Sequence, residues 1–299
     1  MLDYHLHTTV RDGKHSIDEM IEFAIIKGFS EIGISEHWGM FPDDWEKYYG
    51  SEEYFGIEFN ELKTKKTAPY SMRGSLLKYF WLLRDAKEKY KDRITVKSGL
   101  EMDLYDSNLD ESYNLVMAYE PDYIIGAIHA LNKIGYHSFE SLDNVTPLDY
   151  ENCLLAHIGY VRRGKMHILG HFNDYKIFTD MGDESRFYPL YDELVSACKE
   201  SNIAIEYNTS QLMYNYRIDP ELFWLKKCAE YEVPVILTSD AHNKYTMGDK
   251  FDFCFTLLKQ AGVKLTAEFT KGVMTKKEID YDKALRFCFF RPLEKPWVI

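Results

Sequence analysis

Seven short apolar, β-branched runs alternate with longer amphipathic ones along this chain, and that alternation most restricts what it can fold into. The strand candidates are residues 2–8, 31–37, 94–102, 123–131, 167–171, 203–209 and 233–242. Helix candidates lie between them, most distinctly at 16–28, 188–202 and 220–233. Over 16–28, Ser16 can cap the helix and Glu19, three residues on, completes a capping box. Ile17, Met20, Ile21, Phe23, Ala24 and Ile25 form its apolar stripe, and Gly28 stops it. Parallel strands need long crossovers, so sustained strand–helix alternation predicts an α/β fold on a parallel sheet. Seven such strands predict a barrel related to the eightfold β/α type, and 299 residues with 45% hydrophobic content suffice for one such domain. No internal repeat or glycine-serine linker divides the chain, so 1–299 reads as one domain. Two stretches fall outside the pattern. Residues 40–93 exceed an ordinary connection and read as an insertion or lid that ends in a helix, and 263–299 read as a C-terminal extension.

The unusual residues sit at strand ends. "DYHLHTTVRDGKHS" brings His5 and His7 to the close of the first strand and His15 just beyond it. Glu36 and His37 close the second strand, Glu101 the third, His129 the fourth and His171 the fifth, while Asp240 and His242 follow the seventh. In parallel α/β barrels the C-terminal strand ends share one face, so these residues converge there. A strand has period two, so His5 and His7 point the same way and can grip one cation; Asp240 and His242 do likewise. Alternation turns Glu36 away from His37, toward a structural role facing a helix. Seven of the ten histidines fall at or just past strand ends, which a set of unrelated structural histidines does not explain. An imidazole–carboxylate set without thiolate suits zinc, iron or manganese. Nine candidates exceed the four ligands of one tetrahedral ion and predict two or three divalent ions, an arrangement suited to phosphoryl chemistry.

Other classes are disfavoured. The net charge of −12 offers no broad attraction for nucleic acid or an anionic membrane. The five scattered cysteines include no CxxC pair, so neither a disulfide framework nor a cysteine zinc site is expected. Met1 leads into a polar, histidine-rich segment and no apolar run reaches membrane-spanning length, so the expectation is a soluble cytoplasmic protein.

Taken in order, "DYHLHTT", "DGKHSIDEMIEFAIIKGFSEIGISEH", "KYKDRITVKSGLEMD", "DYIIGAIHAL", "HILGHFNDY", "AIEYNTS" and "VILTSDAHN" resemble the PHP (polymerase and histidinol phosphatase) family, and most closely its histidinol-phosphate phosphatase branch. The resemblance runs from Asp3 to about Gly248. It implies a distorted (β/α)7 TIM-like barrel with a trinuclear site at the C-terminal strand ends. In it His5, His7, Glu101 and Asp240 would hold one ion, and His15, His37 and His242 a second. Glu101 would bridge to a third ion completed by His129 and His171. The implied activity is hydrolysis of L-histidinol phosphate, a small phosphate ester, by a hydroxide bridging two ions. Asp240 or His242 would manage the proton needed by the leaving alkoxide. Three divalent ions against two carboxylate ligands leave the site positive, so the acidic composition does not oppose an anionic substrate.

The chain departs from the branch where phosphate is bound. After "YNTS" the family reads glycine-leucine-arginine, whereas this chain has "QLM", with Met213 at the arginine position. After "LGH" it carries Asn173 and Lys176 where aspartate and arginine are usual. Lys176, Arg217, Arg162 and Arg163 are the candidate replacements, although "VRRGK" also suits a solvated helix end. The aromatic residues Trp38, Phe41, Trp45, Tyr48, Tyr49, Tyr54, Phe55 and Phe59 could line a pocket for a flat substrate or form a small core under a long loop. The competing readings are a phosphodiesterase or exonuclease of the same family, an amidohydrolase barrel, and a regulatory domain that has lost catalysis. An amidohydrolase would bridge its ions from a fourth-strand lysine, where this chain has His129.

Overall fold

The computed structural model describes residues 1–39, 75–131, 134–135, 145–175, 180–213 and 218–289. Within them the chain runs β1 (Leu2–Asp3), α1 (Ile17–Lys27), β2 (Glu31–Ile34), β3 (His37–Trp38), α2 (Ser75–Tyr90), β4 (Thr95–Ser98), β5 (Glu101–Asp103) and α3 (Leu109–Met117). It continues with β6 (Ile125–Ala127), a short antiparallel pair β7 (Ala130–Leu131) and β8 (Ile134–Gly135), α4 (Pro147–Arg163), β9 (Ile168–Leu169), α5 (Tyr188–Ser201) and β10 (Ala204–Asn208). Then come α6 (Ile218–Tyr231), β11 (Val235–Thr238), α7 (Phe251–Ala261), β12 (Leu265–Thr270), β13 (Val273–Glu278) and α8 (Tyr281–Phe289). The expected α/β alternation on parallel strands is present.

Local sequence explains the helix ends. Ser16 accepts from the Glu19 amide and Glu19 reaches back to Ser16, while Gly28 closes α1 at φ 82°. Thr146 and Asp149 repeat the box at α4, which Gly164 ends at φ 65°. Met20, Ile21 and Ala24 turn inward from α1. Along α2, Leu76, Tyr79, Leu83, Ala86 and Tyr90 do the same at helical spacing.

The strands form two parallel sheets, β1-β2-β4 and β11-β10-β9-β6-β5-β3. They run into each other, because β2 and β3 flank a break at Ser35–Glu36, and β4 and β5 one at Gly99–Leu100, in a single register. Ile34 pairs with Ser98, and His37 with Glu101. Beyond β1, Leu6 bridges Ala241 in parallel, and the Ser35 amide donates to the Leu6 carbonyl at 3.0 Å. The first strand line thus lies between the second and the last. Ladder-forming strands are shorter than the apolar runs suggest. Residues 2–8, for example, pair regularly only over Leu2–Asp3, since the backbone turns irregular where polar side chains converge.

The C-terminal segment acquires a place that its sequence did not announce. β12 and β13 form a hairpin turning at Lys271 and Gly272, φ 49° and 76°. Ala267 and Phe269 of the hairpin pack with Tyr4, which follows β1, and with Tyr123, Ile125, Ile168, Ala204 and Ile236, at or near the starts of β6, β9, β10 and β11. The hairpin therefore covers the sheet end opposite the histidines. Burying Phe269 there contributes about 1.5–3 kcal/mol. Gly33 and Gly99 are required inside, since a Cβ at either would meet the Tyr123 phenol at 1.9 and 2.2 Å. Within the proposed insertion 40–93, the expected helix is α2. Residues 40–74, with Phe41, Trp45, Tyr48, Tyr49, Tyr54, Phe55 and Phe59, lie outside the described residues. Trp38 is part of the buried core.

Candidate metal centre

At the C-terminal strand ends a single buried carboxylate gathers five imidazoles. Glu101 begins β5, and its two oxygens face different sets. Oε2 lies 2.5 Å from His37 Nδ1, 3.4 Å from His5 Nε2 and 3.7 Å from His7 Nε2. Oε1 lies 2.7 Å from His171 Nε2 and 3.2 Å from His129 Nε2. Asp240 adds a second carboxylate, its Oδ1 3.0 Å from His7 Nε2 and 3.6 Å from His5 Nε2. His242 stacks on His7 with ring centroids 4.1 Å apart. Strand ends separated by most of the chain thus bring together eight of the nine predicted ligands.

Asp240 is held tightly. It adopts φ 50°, a left-handed conformation unfavourable for a residue with a side chain. Its neighbour Ser239 is clamped by Asp3, which accepts from the Ser239 amide at 3.1 Å and its hydroxyl at 2.5 Å. Asn208 Nδ2 and Ser210 Oγ donate to Asp240 Oδ2 at 3.2 and 3.4 Å, which leaves Oδ1 for the histidines.

His15, the ninth predicted ligand, is not among them. Its Nδ1 accepts from the Lys244 amide at 3.4 Å, and it joins none of the potential ion-binding groups of the described residues. Asp12 stands in that place, its Oδ2 3.4 Å from His37 Nε2 and 3.2 Å from His242 Nε2. The reason is a tight turn. The Arg11 and Gly13 amides both donate to the Thr8 carbonyl, and a Cβ on Gly13 would meet the His7 backbone at 2.5 Å. The Asp-Gly pair in "RDGK" was the available signal.

A surrounding ring of carboxylates, not anticipated from the sequence, orients the histidines. His5 Nδ1 lies 2.5 Å from Glu206 Oε1, His129 Nδ1 2.5 Å from Asp103 Oδ1, and His171 Nδ1 2.9 Å from Asp174 Oδ2. Each would fix the ring so that Nε2 points inward. Glu206 also accepts from the His171 amide at 2.7 Å and the Thr238 hydroxyl at 2.6 Å. Its place two residues before Asn208 in "IEYN" is a period-two signal. Glu36 faces the first strand end, not a helix: its Oε1 accepts from the Thr8 amide at 2.9 Å and from the Thr8 hydroxyl.

Electrostatics matches this packing. Burial alone would raise the Glu101 carboxyl, yet His37, His5 and His129 hold it well below the usual range. Burial likewise opposes a charged His5, but Glu206, Asp240 and Glu101 raise it well above the ordinary imidazole. His7 is pushed down to about 3 by burial and by His37 and His242. Burial pushes Glu36 up to about 7 against the pull of Thr8.

Four overlapping groups of the described residues could each hold a divalent ion: His7, Asp12, His37 and His242; His5, His171 and Asp240; His5, His7 and Glu101; and His37, Glu101 and His129. The fit is chemical as well as geometric. His5 Nε2, Glu101 Oε2 and Asp240 Oδ1 are buried, point into the cluster and lack a hydrogen bond of acceptable geometry. Such atoms are costly unless something occupies the space between them.

The cationic candidates fare differently. Arg162 and Arg163 end α4, ahead of the start of β9, whereas His171 follows that strand's end. Arg162 pairs with Glu193 at 2.9 Å, and Arg163 lies 3.4 Å from Asp110 and 3.6 Å from Asp106, so both belong to the outer helix surface. Lys176 and Arg217 lie outside the described residues.

Comparison with known proteins gives a family match and a likeness of fold. The family model described as "PHP domain" matches residues 3–210. The DNA polymerase/3′-5′ exonuclease PolX of Bacillus subtilis is 25% identical over 249 residues, which is 83% of this chain but 35% of that protein. This chain thus spans about a third of that relative. A probable phosphatase of Clostridium acetobutylicum is 26% identical over 287 residues, 95% of both chains. Among solved structures, histidinol phosphate phosphatase from Lactococcus lactis, complexed with zinc, L-histidinol and phosphate, superposes with a TM-score of 0.73 at 20% identity, over 92% of this chain and 98% of that one. At that identity the likeness is one of fold. No described helix is long and apolar enough to cross a membrane.

Proposed function

This chain belongs to the PHP domain family, and on that premise we propose that it is a metal-dependent phosphatase that hydrolyses L-histidinol phosphate to L-histidinol and phosphate. The observation that carries the reading is Glu101, a fully buried carboxylate with five imidazoles on its two oxygens. A buried constellation of this kind suits two or three divalent ions better than any purely structural role. The ligands we assign are His5, His7, Asp12, His37, Glu101, His129, His171, Asp240 and His242, with zinc, iron or manganese as the metal. Phosphatase activity is favoured by the Clostridium relative, which matches over nearly its whole length, and the histidinol ester by the Lactococcus structure. The net charge of −12 weighs against a nucleic-acid substrate.

When bound, the ions would supply Lewis acidity toward phosphate oxygens and a water acidified enough to attack. The chain supplies the rest. Glu206, Asp103 and Asp174 hold their histidines in one tautomer. Asn208 and Ser210 aim Asp240. His242 donates from Nδ1 to the Asp240 carbonyl at 3.1 Å and is 37% exposed at the rim. On this reading it or Asp240 would manage the proton that the leaving alkoxide needs, relaying it from water.

The parallel order, the continuous register across both sheets and the Leu6–Ala241 bridge support a distorted (β/α)7 barrel in one domain. Residues 40–93 would be its insertion, and the hairpin with α8 its extension. The same reading puts the enzyme in the cytoplasm, where Cys153 and Cys198, buried as free thiols, stay reduced.

The test is phosphate release from L-histidinol phosphate beside sugar phosphates, nucleotides, phosphotyrosine and a phosphodiester, with metal content measured on the same sample. Preference for histidinol phosphate with two to three ions bound upholds the reading. Preference for another ester keeps the chemistry and removes the substrate, and bound metal without any hydrolysis points to a regulatory domain.

A further inference from the structure

Three buried histidines of the centre have a carboxylate on Nδ1 at 2.5–2.9 Å, but His7 does not. Its Nδ1 is buried without a hydrogen bond and faces Glu36 Oε2, which is also buried without one, across 3.9 Å. Glu36 is 2% exposed and its other oxygen is fixed by the Thr8 amide and hydroxyl, so Oε2 is the one acceptor position it has left to offer. Asp12 Oδ1 is equally distant from His7 Nδ1, at 3.9 Å, but Asp12 is turned toward His37 and His242 through Oδ2. An ion held by Asp12, His37 and His242 would draw it further that way.

We propose that Glu36 is the positioning residue of His7: with an ion at His7 Nε2, the Nδ1–H donates to Glu36 Oε2 and the 3.9 Å gap closes to hydrogen-bond length. Glu36 would complete for His7 what Glu206, Asp103 and Asp174 already provide for His5, His129 and His171. The chemistry favours it. A histidine bound through Nε2 keeps a proton on Nδ1, and that proton, buried in the protein, needs an acceptor. The glutamate of "ISEH" thus acts on the histidine of the first strand and not on its own neighbour, His37. The inference rests on the metal reading of the site.

The experiment uses the whole chain and zinc. Glu36→Gln preserves shape and can still accept from Thr8 through its carbonyl oxygen, but its amide cannot take a proton from His7 Nδ1. We expect zinc affinity, measured by calorimetry and by retention against a chelator, to fall about 10–100-fold with circular dichroism unchanged. Thr8→Val removes the hydroxyl bond to Oε1, together with the Val10 amide's 3.2 Å bond to that hydroxyl, but leaves Oε2 untouched, and should bind zinc as wild type does. In 15N-histidine-labelled wild-type protein, zinc loading should bring the His7 Nδ1 proton into slow exchange and far downfield, a signature that needs no variant to fold. Unchanged affinity in Glu36→Gln, an equal loss in Thr8→Val, or a rapidly exchanging His7 proton in the zinc-loaded protein overturns the assignment. Wild-type protein that takes up no zinc instead removes the metal reading, and this inference with it.

Discussion

Glu206 Oε1 lies 2.5 Å from Nδ1 of His5, joining residues 201 positions apart, and both are completely enclosed or nearly so. Glu206 has no Nε2-facing part in the cluster. It sets the orientation of a ring that does, and through the His171 amide it ties two strand ends together. Glu206→Gln should therefore raise the zinc dissociation constant about 10–100-fold while the far-ultraviolet spectrum stays that of the wild type. Equal affinity in competition with a chelator would show that His5 needs no such partner.

Asp12 and His15 compete for one role. Metal analysis after dialysis should find one tightly bound ion fewer in Asp12→Ala, whereas His15→Ala should retain the wild-type stoichiometry. The reverse outcome would restore His15 as the ligand and make Asp12 a bystander.

Asp240, proposed both as a ligand and for proton handling, sits at a strained φ of 50°. Asp240→Asn, loaded to the wild-type metal content, should lose turnover by about 10²–10⁴-fold, the range of a removed acid–base group. Steady-state kinetics near the wild-type rate at full loading would exclude Asp240 from proton handling.

His157 lies outside the cluster, buried in α4, with Nδ1 2.8 Å from the Cys153 carbonyl. Burial pushes it down to about 3 from an ordinary 6.5. The unfolded chain therefore takes up a proton below pH 6.5 that the folded chain refuses. Its contribution is complete above about pH 6.5 and is lost as pH falls toward 3. Urea unfolding of the metal-free protein at pH 7 and pH 5 should show wild type losing up to about 2 kcal/mol more than His157→Asn. Parallel pH dependence in the two proteins would contradict a neutral buried His157.

The hairpin contact is structural and remote from the centre. Phe269→Ala should destabilise the fold by about 3–5 kcal/mol, read as a lowered thermal midpoint, with metal stoichiometry unchanged. Loss of bound metal at temperatures where the variant is still folded would show that the two ends of the sheet are coupled.

The sequence by itself determined the α/β alternation and the caps of α1, and it named eight of the residues that the fold gathers at one end of the strands. Each is written locally: period in a helix or strand, a capping box, a histidine at the end of an apolar run. What it left open depends on distance in space. Asp12, and not His15, comes to face His37 and His242 because a turn closed on the Thr8 carbonyl brings residue 12 back toward His7, and spacing alone does not fix where a loop side chain points. Glu206, Asp103 and Asp174 were missed because a buried carboxylate looks like any other acidic residue until its partner is known.

The hairpin was illegible for the same reason. Residues 263–299 read only as an extension, and packing alone shows that Ala267 and Phe269 cover Tyr4 and Tyr123. Arg162 and Arg163 were drawn into the site by charge, which is visible in sequence, and excluded by the direction of α4, which is not. Tertiary structure alone decided which charges are enclosed together, because the energy of a buried ionisable group is set by neighbours that the chain brings from elsewhere.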